Sequence, residues 1–235
     1  MPKAAELDGE LRDRAVYLPA AEALVLADLH LGKVAASAIE APMGAGASMV
    51  DRLDALIDQF RPAEVVLAGD LLHSYASIPR AARDTLEELL ARIAAAGADA
   101  VAIEGNHDPL LSELVDRNIH AAYTLSDGTV VCHGHQVPST TAERFVIGHD
   151  HPAIELQGRR RPCYLQAESV YEGADVLALP AYNPAVRGTV VNGLADGEPL
   201  SPFLTNLSRF RPVIRDRDAD ESLVFPRLDA LRPHL

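Results

Sequence analysis

The chain has only two cysteines among 235 residues, Cys132 and Cys163, and nothing around Cys163 resembles a CxxC metal knuckle. A disulfide framework is excluded, and both are expected to be small buried apolar residues. No uninterrupted apolar run approaches the roughly 18 residues of a membrane span. The opening MPKAAELDGELRDRA also lacks the apolar stretch of a signal peptide. These absences predict a soluble, cytoplasmic protein with no membrane partner. Lysine is nearly missing, since Lys3 and Lys33 are the only two among 21 basic residues. An acidic surface that relies on arginine fits a saline habitat and a GC-rich genome equally. Formal net charge is −13, which repels polyanions unless basic residues cluster locally or bound cations supply a positive field. Bulk charge therefore argues against nonspecific DNA binding.

What is present is a repeating strand-to-motif pattern. ALVLA, residues 23–27, is a short continuous apolar run of the kind found in strands buried on both faces, and it ends in Asp28-Leu29-His30. MVDRLDALIDQF carries helical spacing and is closed by Pro62, after which EVVLA delivers Gly69-Asp70. PRAARDTLEELLARIAAAG reads as a second helix, stopped by Gly97, and DAVAIE as a strand that delivers Gly105-Asn106-His107-Asp108. Beyond residue 119 the elements shorten. Asp127-Gly128 signals a two-residue hairpin before His133-Gly134-His135, and a strand ending in Gly148-His149-Asp150-His151 precedes a second hairpin around Gly158. The expected organisation is one domain over residues 1–235, with a core of about 16–195 and a tail over 201–235 that packs across it or moves.

Asp28, His30, Asp70, Asn106, His133, His149 and His151 all follow predicted strands, and in open α/β sheets ligands gather at strand carboxyl ends. Six of the nine histidines fall within these motifs, where satisfied core or surface histidines would be scattered. Carboxylate, amide oxygen and imidazole without thiolate suit Mn²⁺, Fe or Zn²⁺ at a hydrolytic site rather than a structural zinc. One carboxylate can bridge two ions.

Taken in order, Asp28-x-His30, Gly69-Asp70, Gly105-Asn106-His107-Asp108, His133-Gly134-His135 and Gly148-His149-x-His151 resemble the calcineurin-like metallophosphoesterase signature. More narrowly, LADLHLGK, AGDLLHS, GHDHPAIEL and LPAYNPAVRG resemble the Icc-related phosphoesterases, which include the DNA ligase-associated metallophosphoesterases. The loop after LADLHLGK departs from that narrower pattern, reading VAASAIEAPMGAGAS where an aromatic or basic residue is usual. Residues 35–48 could form a lid over the site or a passive connection.

The resemblance implies an α/β fold, a four-layer α/β/β/α metallophosphoesterase sandwich with metals at one edge. It implies two divalent ions, Mn²⁺ first and Fe or Zn²⁺ as alternatives. Asp28, His30 and His151 would hold one ion, Asn106, His133 and His149 the other, and Asp70 would bridge. The cations would activate a shared water for attack on phosphorus. His107 would serve the leaving group or the charged phosphorus, with Asp108 fixing its tautomer. His135 stands as a possible neighbour of the metals or a phosphate contact, as do Asn183 and Arg187 by the narrower resemblance alone. His73 reads primarily as a helix-entry residue, Asp150 as facing away from the site, and Arg159-Arg160-Arg161 as a solvated basic turn.

The implied function is phosphodiester hydrolysis in a nucleic acid, DNA or RNA, or in a nucleotide. Association with DNA repair or ligase proteins rests on resemblance alone. Alternatives are a phosphomonoesterase or small-nucleotide phosphodiesterase and, in a different class, a non-catalytic scaffold of the same fold.

Overall fold

The computed structural model describes residues 9–33, 45–73, 77–115, 119–198, 200–216 and 219–234. Its first sheet has the order β1 (Glu10–Arg12), β2 (Ala15–Leu18), β3 (Ala23–Leu26), β4 (Glu64–Ala68), β5 (Asp99–Ile103) and β6 (Ile119–His120). The first three strands are antiparallel neighbours, and β3 to β6 run parallel. Parallel pairing follows from the two long crossovers: α1 (Ala45–Phe60) joins β3 to β4, and α2 (Arg80–Ala95) joins β4 to β5. Pro62 ends α1 as expected, because the residue before a proline is driven out of the helical region, and Arg61 sits at φ 46°.

The second sheet combines β7 (Ala122–Thr124), β8 (Val130–Cys132), β9 (Arg144–Ile147), β12 (Tyr164–Tyr171), β13 (Ala174–Ala178), β15 (Arg211–Asp216) and β16 (Glu221–Val224). A three-stranded ribbon of β10 (Pro152–Leu156), β11 (Arg159–Pro162) and β14 (Thr189–Val190) stands beside it. Gln157 and Gly158 both have positive φ, the type I′ geometry that joins β10 to β11 in two residues. The turn at Asp127-Gly128 is longer than the two residues expected. The Gly128 N–H donates to Leu125 O and the Leu125 N–H to Thr129 O, and the Asp127 carboxylate accepts the Thr129 N–H at 2.9 Å. The competing side-chain bond sets the longer loop.

Side-chain alternation along the strands builds the layers. Leu24 and Leu26 of β3, with Val65 and Leu67 of β4, pack under Leu53, Leu56, Leu86 and Leu89 of the helices. The opposite face presents Val25, Val66, Ala68 and Ile103 to Val131, Val146 and Leu177 of the second sheet. Each such leucine contributes roughly 2 kcal/mol by leaving water. Tyr164 crosses the seam and donates its hydroxyl to the Ala15 carbonyl at 2.9 Å. The far face of the second sheet is covered by Phe203, Leu204, Leu207, Leu228 and Leu231. That outer layer is thin. It consists of helical turns at Pro202–Leu204 and Leu207–Arg209 and the four-residue helix α3 (Leu228–Leu231). The fold is the mixed α/β sandwich expected, with short turns as its fourth layer. Both cysteines are buried, as expected.

Of the stretch 35–48, residues 35–44 lie outside the described part, and Ala45 begins α1. Among the described residues, no helix is long and apolar enough to cross a membrane.

Candidate metal centre

Strands β3, β4 and β5 of the first sheet deliver Asp28, Asp70 and Asn106, and β8 and β9 of the second deliver His133 and His149. The strands within each of these sets are parallel, so their carboxyl ends meet at one edge of the sandwich. Asp28, His30, Asp70 and His151 each place a donor atom within 4.8 Å of the others. In this group His30 Nε2 lies 3.0 Å from His151 Nε2, and His151 Nε2 lies 3.3 Å from Asp28 Oδ1. A second group surrounds His133 Nε2, which is 3.1 Å from Asn106 Oδ1 and 3.3 Å from His149 Nδ1. Asp70 touches both: its Oδ2 is 3.7 Å from His30 Nε2 and its Oδ1 is 3.4 Å from His133 Nε2.

The donor set fits divalent cations. Burial drives the His30 imidazole down to about 2 and His133 to about 4, so both rings present lone pairs rather than protons. His133 Nδ1 faces the Ala68 carbonyl at 3.3 Å, which places its proton there and leaves Nε2 for the site. Burial pushes Asp70 up to about 7, with the Asp28 and Asp108 carboxylates adding to the effect against a hydrogen bond from His107. Burial also opposes the charge of Asp28, yet His151, His133 and His30 together hold its carboxyl below the usual range. Burial opposes the charge of His151 too, but Asp28 raises it above the ordinary imidazole value. Buried carboxylates and mutually facing imidazole nitrogens form a set of lone pairs short of acceptors, a deficit that divalent cations fill.

The backbone is bent to aim these groups. Asp28, His30, Asp70, His149 and His151 all have positive φ, between 42° and 73°. Such conformations cost about 1–3 kcal/mol each and persist only where the surroundings impose them. The motif glycines answer a different need. A Cβ at Gly105 would stand 2.1 Å from Asp70 N, and one at Gly148 would stand 2.7 Å from Asp28 Oδ2. Any side chain there would displace a donor.

Three buried polar residues hold the loops. The Asp108 carboxylate accepts the N–H groups of Leu71 at 3.1 Å, Leu72 at 2.7 Å and Gly105 at 3.0 Å. Through these three bonds Asp108 ties the Asp70 loop to the Asn106 loop. Asp150 does face away from the donors, and it accepts the Ser201 N–H. Asn183, expected as a possible phosphate contact or supporting residue, is 3% exposed. Its amide donates to Leu29 O at 2.8 Å, and its oxygen accepts the Ala185 N–H at 2.9 Å. That amide supports the backbone carrying His30 and is closed to a phosphate.

His107 donates its backbone N–H to Asp70 Oδ1 at 2.9 Å, and its ring stacks on His73 at 5.1 Å between centroids. His73 lies closer to the donors than its reading as a helix-entry residue implies: its Nδ1 is 3.3 Å from His30 Nδ1. Lys33 went unrecognised in the sequence. After burial, its charge is the next influence holding the His73 and His107 rings below the ordinary imidazole value. Its position three residues past His30, as one of only two lysines, was the available signal. His135 borders a pocket of about 410 Å³ that also touches Asn106 and His133, and its buried Nδ1 has no hydrogen-bond partner among the described residues. Arg187 is exposed.

None of the curated proteins matches the chain. Among solved structures, a nuclease MPE from Pseudomonas putida is similar, with 25% identity and a TM-score of 0.61 over 86% of this chain and 88% of that one. The phosphoesterase Yfce from E. coli is 16% identical, with a TM-score of 0.43 over 88% of this chain and 98% of that one. A dimetal phosphatase from Danio rerio is 11% identical, with a TM-score of 0.43 over 86% and 98%. The sequence profile of the calcineurin-like phosphoesterase family matches residues 22–186, a stretch that contains every donor from Asp28 to His151, and the chain belongs to that family.

Proposed function

We propose that the chain is a phosphodiesterase that uses two divalent cations, Mn²⁺ foremost, to cleave a nucleic acid or nucleotide-derived diester. The observation that carries this reading is Asp70, whose two oxygens face two different histidine groups. Asp28, His30 and His151 would hold one cation and Asn106, His133 and His149 the other, with Asp70 shared between them. When bound, a pair of adjacent cations lowers the pKa of water towards neutrality and draws charge from phosphoryl oxygens.

The remaining steps belong to the protein's own side chains. His107 is anchored through its backbone to the shared carboxylate, and from there its ring reaches the leaving oxygen with a proton. Lys33 supplies a fixed positive charge on the same side and draws in the anionic ester. His135 lines the adjoining pocket and orients the remainder of the substrate. A nucleic-acid substrate is supported by the likeness to the Pseudomonas putida nuclease and by the motifs shared with DNA ligase-associated phosphoesterases. The resemblance to DNA ligase-associated phosphoesterases favours a setting in DNA repair.

The test is hydrolysis of a generic phosphodiester and a matched monoester by metal-stripped protein reloaded with Mn²⁺, with His107→Ala as control. Diester preference lost in the variant supports the reading. Monoester preference redirects it to a phosphomonoesterase. If two metals bind and neither ester is cleaved, the enzyme reading fails in favour of a binding module.

A further inference from the structure

A chain with net charge −13 concentrates six arginines around one pocket. Arg14, Arg52, Arg159, Arg160, Arg161 and Arg215 line a recess of about 390 Å³ in which Asp13 is the one carboxylate among the described residues. The three consecutive arginines, unremarkable as a basic turn in the sequence, are joined here by three more from distant segments.

The pocket is built rather than incidental. Arg14 Nη1 donates to the carbonyls of Ala181 and Asn183, both at 3.0 Å. Arg52 donates to the Tyr182 carbonyl at 3.0 Å and lies 4.2 Å over the Tyr182 ring. These bonds fix two guanidinium groups at the floor. Arg215 pairs with Asp220, and its buried Nε has no hydrogen-bond partner among the described residues. Arg159, Arg160 and Arg161 are exposed on β11, the edge strand of its ribbon. Residues two apart on a strand stand roughly 6.5 Å apart on one side, so Arg159 and Arg161 can reach separate phosphates.

One backbone segment links the pocket to the donor cluster. The segment Ala181–Asn183 that Arg14 grips has Asn183 bonded to Leu29 O, between Asp28 and His30. The ribbon bearing the arginines begins at Pro152, immediately after His151. A strand lying in the pocket would therefore continue across the loop at residues 180–184 towards the donors. Those donors are recessed: Asp28, His30, Asp70 and His133 are each at most 1% exposed. A single strand can bend into such a recess, whereas a stiff duplex cannot.

We propose that this arginine-lined pocket seats backbone phosphates of a single nucleic-acid strand outside the donor cluster. The assignment rests on the phosphodiesterase reading and specifies its substrate as single-stranded. Local positive charge overcomes the repulsion from the acidic whole, because counterion release depends on the charges in contact with phosphate rather than on net charge.

The test measures binding of a phosphorothioate-linked oligodeoxythymidine to metal-loaded protein by fluorescence anisotropy across a salt series. R159A/R161A should weaken binding about tenfold near 0.1 M salt and flatten the slope of log Kd against log salt by about 1.4, at roughly 0.7 per lost contact. R159K/R161K should restore the slope. Turnover of bis(p-nitrophenyl) phosphate should be unchanged in both variants. Equal affinity and slope in wild type and R159A/R161A would overturn the proposal, as would wild-type binding that ignores salt. Strand binding as expected without cleavage of the small diester upholds the pocket and sinks the phosphodiesterase reading instead.

Discussion

Ser201 joins two loops of the metal centre: its N–H donates to the Asp150 carboxylate at 3.1 and 3.2 Å, and its hydroxyl donates to the Gly134 carbonyl at 2.6 Å. The first bond holds the loop that carries His149 and His151, and the second holds the loop that carries His133 and His135. Ser201→Ala keeps the first and removes the second, together with the cap on the Phe203 N–H at 3.3 Å. The expected loss is about 1–2 kcal/mol of stability, with weaker metal binding. Thermal unfolding with and without metal measures both, and a variant matching wild type in each would refute the link.

Metal binding should displace protons in a defined pH window. Burial sets Asp70 near 7, so around pH 6 the metal-free carboxyl is mostly protonated and a cation must expel that proton. The sign is fixed: affinity rises with pH while Asp70 and the His151 ring, which Asp28 holds above its ordinary value, still carry protons, by up to about tenfold per unit for each proton displaced. Calorimetry in buffers of different ionisation enthalpy should find release of more than one proton near pH 6, from Asp70 and from His151, and release that falls as pH rises. Release that does not vary with pH would count against Asp70 as the shared ligand.

Asp108→Ala leaves the N–H groups of Leu71, Leu72 and Gly105 without their acceptor. Each buried orphan costs about 1–3 kcal/mol, so a loss of about 3 kcal/mol or more is expected. Asp108→Asn separates the two possible roles. A loop-holding residue lowers stability and metal affinity and leaves the alkaline limb of the pH-rate profile, set by the proton on His107, in place. Movement of that limb would return Asp108 to His107.

Lys33→Ala should raise KM for a phosphodiester about tenfold, because one fixed charge facing the anion is lost. It should also raise the His107 pKa, since the lysine charge, after burial, holds that ring below its ordinary value. Histidine proton resonances followed through a pH titration report the shift directly. Lys33→Arg should retain the charge and reverse both changes, and an unchanged KM in Lys33→Ala would exclude a contact.

The apolar runs before each motif placed Asp28, Asp70, Asn106, His133 and His149 at strand ends, and spacing and breakers gave helices over 49–60 and 79–97, of which the first begins four residues earlier, at Ala45. These signals are local, so one sequence carries them. The supporting bonds that the sequence does not carry depend on partners far along the chain. Asp108 meets Leu71 across 37 positions, Asn183 meets Leu29 across 154, and Ser201 meets Gly134 across 67. No periodicity encodes those meetings. The arginine pocket was hidden for the same reason, because Arg14, Arg52 and Arg215 join Arg159–Arg161 only after folding.

The donors come from both sheets, with Asp28, Asp70 and Asn106 on one and His133 and His149 on the other, while the faces between those sheets meet chiefly through apolar contacts such as Val66 and Val146, with the Tyr164 hydroxyl on the Ala15 carbonyl as a directional bond. Apolar faces resist separation well but sliding poorly, since hydrophobic attraction has no preferred direction. Cations held by the proposed ligands would therefore act as a rivet across that seam. That ligand set is complete only at one alignment of the two sheets, so loading the site would fix their relative position, and shearing the sandwich would register as a change in metal affinity.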